Sequence, residues 1–294
     1  MKLHIVGSGC PQPTPNWCGS SFVLETPTER VMVDCGPGTT YKLARLGMKA
    51  TQIDHLFLTH HHFDHNVDFP CFALVRWDLS TGNEPPLRVF GPQPTERFVT
   101  KLLGPDGAFY PDWKARVEHP ASRECHRMRG GELPRPAPDV EPMDLVSGSV
   151  VETDSCRVTA SRVHHVDPWL ESLVYRFDTD EGSICFAGDC GDCRELRDAA
   201  RGVDTLVMAC THFGRQHMSA DVVDVITGTP EAIAVGNEAG VQRLILTHVS
   251  PSFSRPGIRE RAIAEIARSY SGAIVFPDEL TTVELRDLGA HTPL

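Results

Sequence analysis

Leu56-Phe57-Leu58-Thr59-His60-His61-His62-Phe63-Asp64-His65 carries a short apolar strand straight into four histidines and a carboxylate. Donors at a strand's end sit where a rigid scaffold can aim several side chains at one point. In an extended segment, residues two apart face the same way. His60 and His62 can therefore hold one ion while His61 points elsewhere, and Asp64 and His65 can face a second ion as the chain turns into a helix. Imidazole nitrogens with a few carboxylate oxygens suit Zn²⁺, with Fe²⁺ or Mn²⁺ as substitutes. Any one of these histidines alone would suit a solvated surface; the spacing is what points to a metal.

Outward from this stretch, apolar runs bounded by glycine, proline or aspartate recur along all 294 residues. Strands are expected at 3–6, 21–24, 30–33, 55–58, 87–90, 172–177, 183–187, 205–208, 243–247 and 273–276. Helical periodicity marks 39–46, 65–77, 95–103, 219–226, 230–239 and 258–269. Early strands followed by helix–strand alternation fit a single α/β domain, residues 1–294, built as a two-sheet sandwich with helices outside. The stretch from Gly104 to Pro142 is dense in proline, glycine and charge, and Gly130 to Pro138 cannot hold a helix or a central strand. It reads as an insertion or lid. Trp77, Trp113, Trp169 and Phe213 are candidates to wall an apolar substrate pocket, with core packing the expected fate of any one of them.

Lys and Arg number 28 against 39 Asp and Glu, a net charge of −11, which argues against non-specific binding of a polyanion. With 40% hydrophobic and 23% charged residues the composition is that of a soluble globular protein, and no run approaches the roughly 20 apolar residues that cross a bilayer. Met1-Lys2-Leu3-His4-Ile5-Val6-Gly7 reaches a glycine too soon for a secretory signal, so a cytoplasmic protein with mostly reduced thiols among its ten cysteines is expected.

Thr-His-x-His-x-Asp-His after an apolar strand resembles the signature of the metallo-β-lactamase superfamily, and five further segments resemble it in order. They are Gly7-Ser8-Gly9-Cys10-Pro11 with Val33-Asp34-Cys35-Gly36-Pro37-Gly38-Thr39, then Ser161-Arg162-Val163-His164-His165-Val166-Asp167-Pro168 before Tyr175-Arg176-Phe177, then Phe186-Ala187-Gly188-Asp189-Cys190, and last Leu244-Ile245-Leu246-Thr247-His248-Val249-Ser250-Pro251. The resemblance implies an αββα four-layer sandwich and two divalent metal ions, zinc first among them. It places His60, His62, His165 and Asp189 on one ion and Asp64, His65, Asp189 and His248 on the other. Adjacent histidines on an extended segment point to opposite sides, so one of His164 and His165 binds; the wording of the segment in similar proteins favours His165, with His164 as the alternative.

Two ions sharing a water lower its pKa enough to make hydroxide at neutral pH, so the implied activity is hydrolysis. By resemblance to ribonuclease Z-like members, His217 is the general acid, with Asp64 orienting it. His212 has weaker support as a pocket residue. Cys190 and Cys193 form a Cys-x-x-Cys read as structural rather than redox-active, since the pair sits on the metal loop.

The late order of motifs resembles the ribonuclease Z and arylsulfatase-like branch, whose members are often homodimers. Ribonuclease Z carries a long basic arm after the Tyr-Arg strand, and here only Asp178-Thr179-Asp180-Glu181-Gly182 separates that strand from the next. The short turn and the net charge lead to an expectation of a small ester-like substrate: an ester, lactone, phosphodiester or sulfate ester. Nucleic acid and membrane are then disfavoured as partners, and 3′-end processing of transfer RNA is the alternative.

Overall fold

The structure, a computed structural model, describes residues 1–216 and 218–285. Two seven-stranded sheets face each other. The first contains β1 (Lys2–Ser8), β2 (Ser20–Glu25), β3 (Arg30–Val33), β4 (His55–Phe57), β5 (Leu87–Gly91) and β6 (Val140–Asp144), with β14 (Thr281–Glu284) beside β1 at the opposite edge. The second contains β7 (Val150–Glu152), β8 (Arg157–Val163), β9 (Ser172–Thr179), β10 (Gly182–Phe186), β11 (Thr205–Ala209), β12 (Arg243–Thr247) and β13 (Ala273–Val275), also in sequence order across the sheet. In each sheet the chain begins antiparallel and then runs parallel, from β3 to β6 and from β10 to β13.

Side-chain alternation explains why the central strands are apolar on both faces. In β4 and the residue after it, Phe57 enters the core between the sheets, while Leu56 and Leu58 join an outer core beneath α1 (Thr39–Arg45), α3 (Phe69–Leu79) and α4 (Thr95–Leu103). In β12, Ile245 faces the same central core, and Leu244 and Leu246 pack under α7 (Arg194–Ala200), α9 (Thr229–Ala239) and α10 (Ile258–Ala267). A strand covered on both faces has no solvent side to make polar. The result is the expected αββα sandwich, with Phe57 edge-on to Tyr175 and Phe177 across the middle at 5.3 Å.

Differences from the expected elements have local causes. The helix expected over 65–77 is two: α2 (Phe63–Asn66), then α3 with Pro70 in its first turn. Pro70 has no N–H and its ring would crowd the carbonyl four residues earlier, so the helix restarts. The 104–142 stretch holds α5 (Tyr110–Glu118) and α6 (Pro120–Met128), each with a proline in its first turn, and ends in β6. That strand tolerates Pro142 because it lies at the sheet's edge. Asp78 fastens this segment to α3 by accepting from Arg129 at 3.0 Å and from buried Arg135 at 2.8 Å. The helix expected over 219–226 is only α8 (Ala220–Val223). Among the described residues, all ten cysteines are free of disulfides, and no helix is long and apolar enough to cross a membrane.

Candidate metal centre

Asp34, the Thr59–His65 segment, Asp189 and His248 follow β3, β4, β10 and β12, at the carboxyl ends of the parallel strands where open α/β sheets place their sites. His165 comes from the turn between β8 and β9. Asp34 and His248 adopt left-handed backbone, with φ of 59° and 52°, a conformation non-glycine residues keep only where the surroundings hold them. The loops touch closely: a Cβ on Gly36 would lie 2.1 Å from the Asp64 carbonyl, which glycine alone permits.

Three overlapping groups have donor atoms within 4.8 Å of one another: His60, His62 and His165; His60, His65 and Asp189; and Asp64, His65 and His248. The His62 Nδ1 lies 3.0 Å from His60 Nε2 and 3.3 Å from His165 Nε2. On the other side, His248 Nε2 is 3.0 Å from Asp189 Oδ2 and 3.2 Å from Asp64 Oδ2. The outward-facing ring nitrogens are held by neighbours. His65 Nδ1–H donates to Asp34 Oδ2 at 2.7 Å, and His165 Nδ1–H to the Val225 carbonyl at 2.8 Å, which leaves each Nε2 turned inward. Thr59 donates its amide N–H to Asp34 Oδ1 at 2.8 Å, and Thr211 Oγ1 lies 3.4 Å from His248 Nδ1.

A metal of the kind the family implies fits this constellation on the structure's own terms. Asp64 Oδ1, His65 Nε2 and Asp189 Oδ1 are buried without a hydrogen-bond partner among the described residues. Leaving such groups unpaired is costly, so their convergence calls for a cation. Protonation states agree. Burial, with His65 adding to it, holds His60 well below its ordinary pKa, and burial also lowers His62, so both offer lone pairs at neutral pH. Burial opposes ionisation of Asp189, but His248 and His65 outweigh it and hold the carboxyl well below the usual range. In the metal-free protein the carboxylates draw protons instead: burial opposes charging His248, yet Asp189 and Asp64 push it up to about 9.

His164 does not join the groups; it is half exposed and its Nδ1 lies 3.0 Å from Asp167 Oδ2. His61 also points away, with Nε2 2.9 Å from Thr95 Oγ1. His212 faces buried Glu231 at 3.6 Å rather than the cluster. Burial pushes the Cys190 thiol far up, the reverse of what a redox-active thiolate needs. His217 lies outside the described residues. The sequence reading gave no supporting role to Asp34, Thr211 or Val225. Asp34 stood in a quoted motif only as a strand exit, and a backbone acceptor such as Val225 leaves no side-chain signal.

Residues 17–191 match the family model described as the metallo-β-lactamase superfamily. The chain belongs to that superfamily. It is accordingly a metal-dependent hydrolase by family. A protein of Mycobacterium bovis (strain BCG / Pasteur 1173P2) named Ribonuclease Z is 28% identical over 292 residues, covering 97% of this chain and 98% of the relative. Ribonuclease Z of Mycobacterium tuberculosis (strain ATCC 25177 / H37Ra) matches with the same identity and coverage. Among solved structures, the metallo-β-lactamase fold protein YhfI of Bacillus subtilis superposes with a TM-score of 0.74 at 16% identity, over 96% of this chain and 98% of that one. The short form of human tRNase Z gives 0.67 at 19%, over 98% and 100%.

These relatives overturn the expectation of a small-molecule substrate with nucleic acid disfavoured. Both grounds for it fail. The relatives named Ribonuclease Z match over 292 residues, 97% of this chain and 98% of the relative, so the short turn at 178–182 does not set this chain apart from them in length. Net charge is a sum over the whole chain, whereas phosphate contacts are local. Residues 95–129 hold seven Lys and Arg against five Asp and Glu, in a chain that has 28 against 39 overall.

Proposed function

We propose that this chain is a ribonuclease Z-type endonuclease that cleaves a phosphodiester at the 3′ end of precursor transfer RNA. The observation that carries the proposal is the end-to-end match to proteins named Ribonuclease Z, 28% identical over 97% of this chain. In this reading the chain is one domain, with residues 104–142 as an insertion fastened to α3. His60, His62 and His165 would hold one divalent ion and Asp64, His65 and His248 a second, with Asp189, grouped with His60 and His65, as a further ligand. A mixed imidazole and carboxylate donor set favours zinc. Ions of this type supply Lewis acidity to phosphoryl oxygens and lower the pKa of water towards neutrality.

The chain's own groups do the rest. Asp34 fixes the His65 tautomer and the Val225 carbonyl fixes that of His165, so that both Nε2 atoms stay unprotonated and aimed inward. Asp64, ionised and buried, keeps His248 Nε2 in place from 3.2 Å. His217, by resemblance the proton donor, protonates the leaving oxygen. Precursor transfer RNA bearing a 3′ trailer tests the proposal directly: metal-loaded protein should release the trailer in a single cut, and a chelator should stop it. Intact RNA after incubation with metal-loaded protein would refute the proposal.

A further inference from the structure

Phe63 and Trp169 depart from the economy of the rest of the molecule. Trp169 is 85% exposed and Phe63 57%, while Trp17 and Trp77 are buried, and neither exposed ring joins any of the three hydrophobic cores. The core position expected for Trp169 is therefore not where it lies. Phe63 stands between His62 and Asp64, and Trp169 four residues beyond His165. The His62 and His165 rings meet with centroids 5.1 Å apart, so the two loops that bear the aromatics converge on the centre.

The Trp169 turn is braced rather than loose. Its amide donates to the Val166 carbonyl at 3.0 Å, and the neighbouring Asp167 carboxylate is gripped by Arg162 at 2.5 Å and by His164 at 3.0 Å. This gives His164 an evident place: it holds the turn from the side opposite the cluster. An exposed indole on a braced turn and an exposed phenyl beside the candidate metal centre are surfaces for flat, unpaired rings. Every nucleobase offers such a face, and stacking on aromatic side chains is how proteins hold single-stranded RNA without reading its sequence.

We propose that Phe63 and Trp169 are stacking platforms for the unpaired nucleobases on the two sides of the scissile phosphodiester. The inference rests on the ribonuclease reading given above. The test is a tryptophan-fluorescence titration of the metal-loaded protein with two RNAs: a precursor transfer RNA with a 3′ trailer, and the same RNA made abasic at the nucleotides flanking the cut. Base-bearing RNA should quench the emission of exposed Trp169, and abasic RNA should bind about 5- to 150-fold more weakly per base removed. Phe63→Leu and Trp169→Leu should weaken Kd and raise KM for base-bearing RNA, and should lose their effect on abasic RNA. Because Phe63 adjoins two of the proposed ligands, metal content measured on each variant separates stacking from a damaged centre.

Equal binding of the two RNAs, or substitution and base removal that simply multiply, overturns the platforms even if the RNA is cleaved. Base-dependent quenching without cleavage supports the platforms and overturns the ribonuclease reading instead.

Discussion

Asp34→Asn isolates the contribution of one buried oxygen to metal binding. Asp34 Oδ1 accepts the Thr59 amide N–H at 2.8 Å and Oδ2 accepts His65 Nδ1–H at 2.7 Å, in a carboxylate that is 1% exposed. Asparagine keeps the size and tolerates the left-handed backbone at φ 59°. It replaces one acceptor with an NH₂ donor, so one of two N–H groups must face another donor. The Thr59 amide cannot relocate its proton, whereas His65 can move its own to Nε2. That atom is the one facing Asp64 at 3.5 Å and Asp189 at 3.6 Å, and once protonated it can no longer bind an ion. Losing an outer hydrogen-bond partner of a ligand costs about 10- to 100-fold in metal affinity. That range corresponds to ~1.4–2.7 kcal/mol. Competition against a chromophoric chelator measures the affinity, and urea unfolding of the metal-free protein measures stability, expected to fall by about 1–3 kcal/mol. Metal affinity within about twofold of wild type would refute the claim that Asp34 governs a ligand atom of His65.

Other consequences are equally direct. His165→Ala should lose bound metal and His164→Ala should retain it, read by mass spectrometry of the purified variants; the reverse result would exchange the two assignments. Glu29 accepts the Ser155 amide at 2.7 Å and hydroxyl at 2.6 Å. Burial opposes its ionisation, but His55, Ser155 and Thr153 outweigh it and bring the carboxyl down to about 2. A depressed carboxyl stabilises the fold above its unfolded pKa of about 4.3, and that contribution fades as pH falls towards the folded value. Glu29→Gln should therefore cost about 1.5–3 kcal/mol in urea unfolding at pH 7, and the gap to wild type should close as pH drops from 4 towards about 2. Asp78→Ala removes the acceptor of Arg129 and buried Arg135. Stability should fall by about 1–3 kcal/mol, and limited proteolysis should open first within 104–135; an unchanged cleavage pattern would show that Asp78 does not fasten the insertion.

How much of this could be read in the sequence depends on how local each signal is. His60, His62, Asp64 and His65 fall within six consecutive positions, and the alternation of an extended segment separates His61 from the rest, in keeping with its contacts with Thr95 and Asn66. His165, in the turn between antiparallel β8 and β9, and Asp189 and His248, after parallel β10 and β12, are far apart in the chain and meet only through the fold of the second sheet, so only the ordered series of motifs links them in the sequence. The central strands were legible because both faces are buried. β8 was not, since Arg157–Val163 alternates polar and apolar residues near the end of its sheet, and β6 carries Pro142. α5 and α6 were hidden by Pro111 and Pro120, which break a helix interior but suit a first turn. Partner class is not legible in the total charge, because phosphate contacts depend on local charge.

The most direct test of the buried centre is the stoichiometry of divalent metal on freshly purified protein, compared with His62→Ala and Asp189→Ala. Three donor groups that share His60 and His65 predict about two ions per chain in the wild type and a loss in each variant, with zinc foremost. Metal absent from wild-type protein that has been supplied with zinc, or unchanged metal in both variants, would contradict the account.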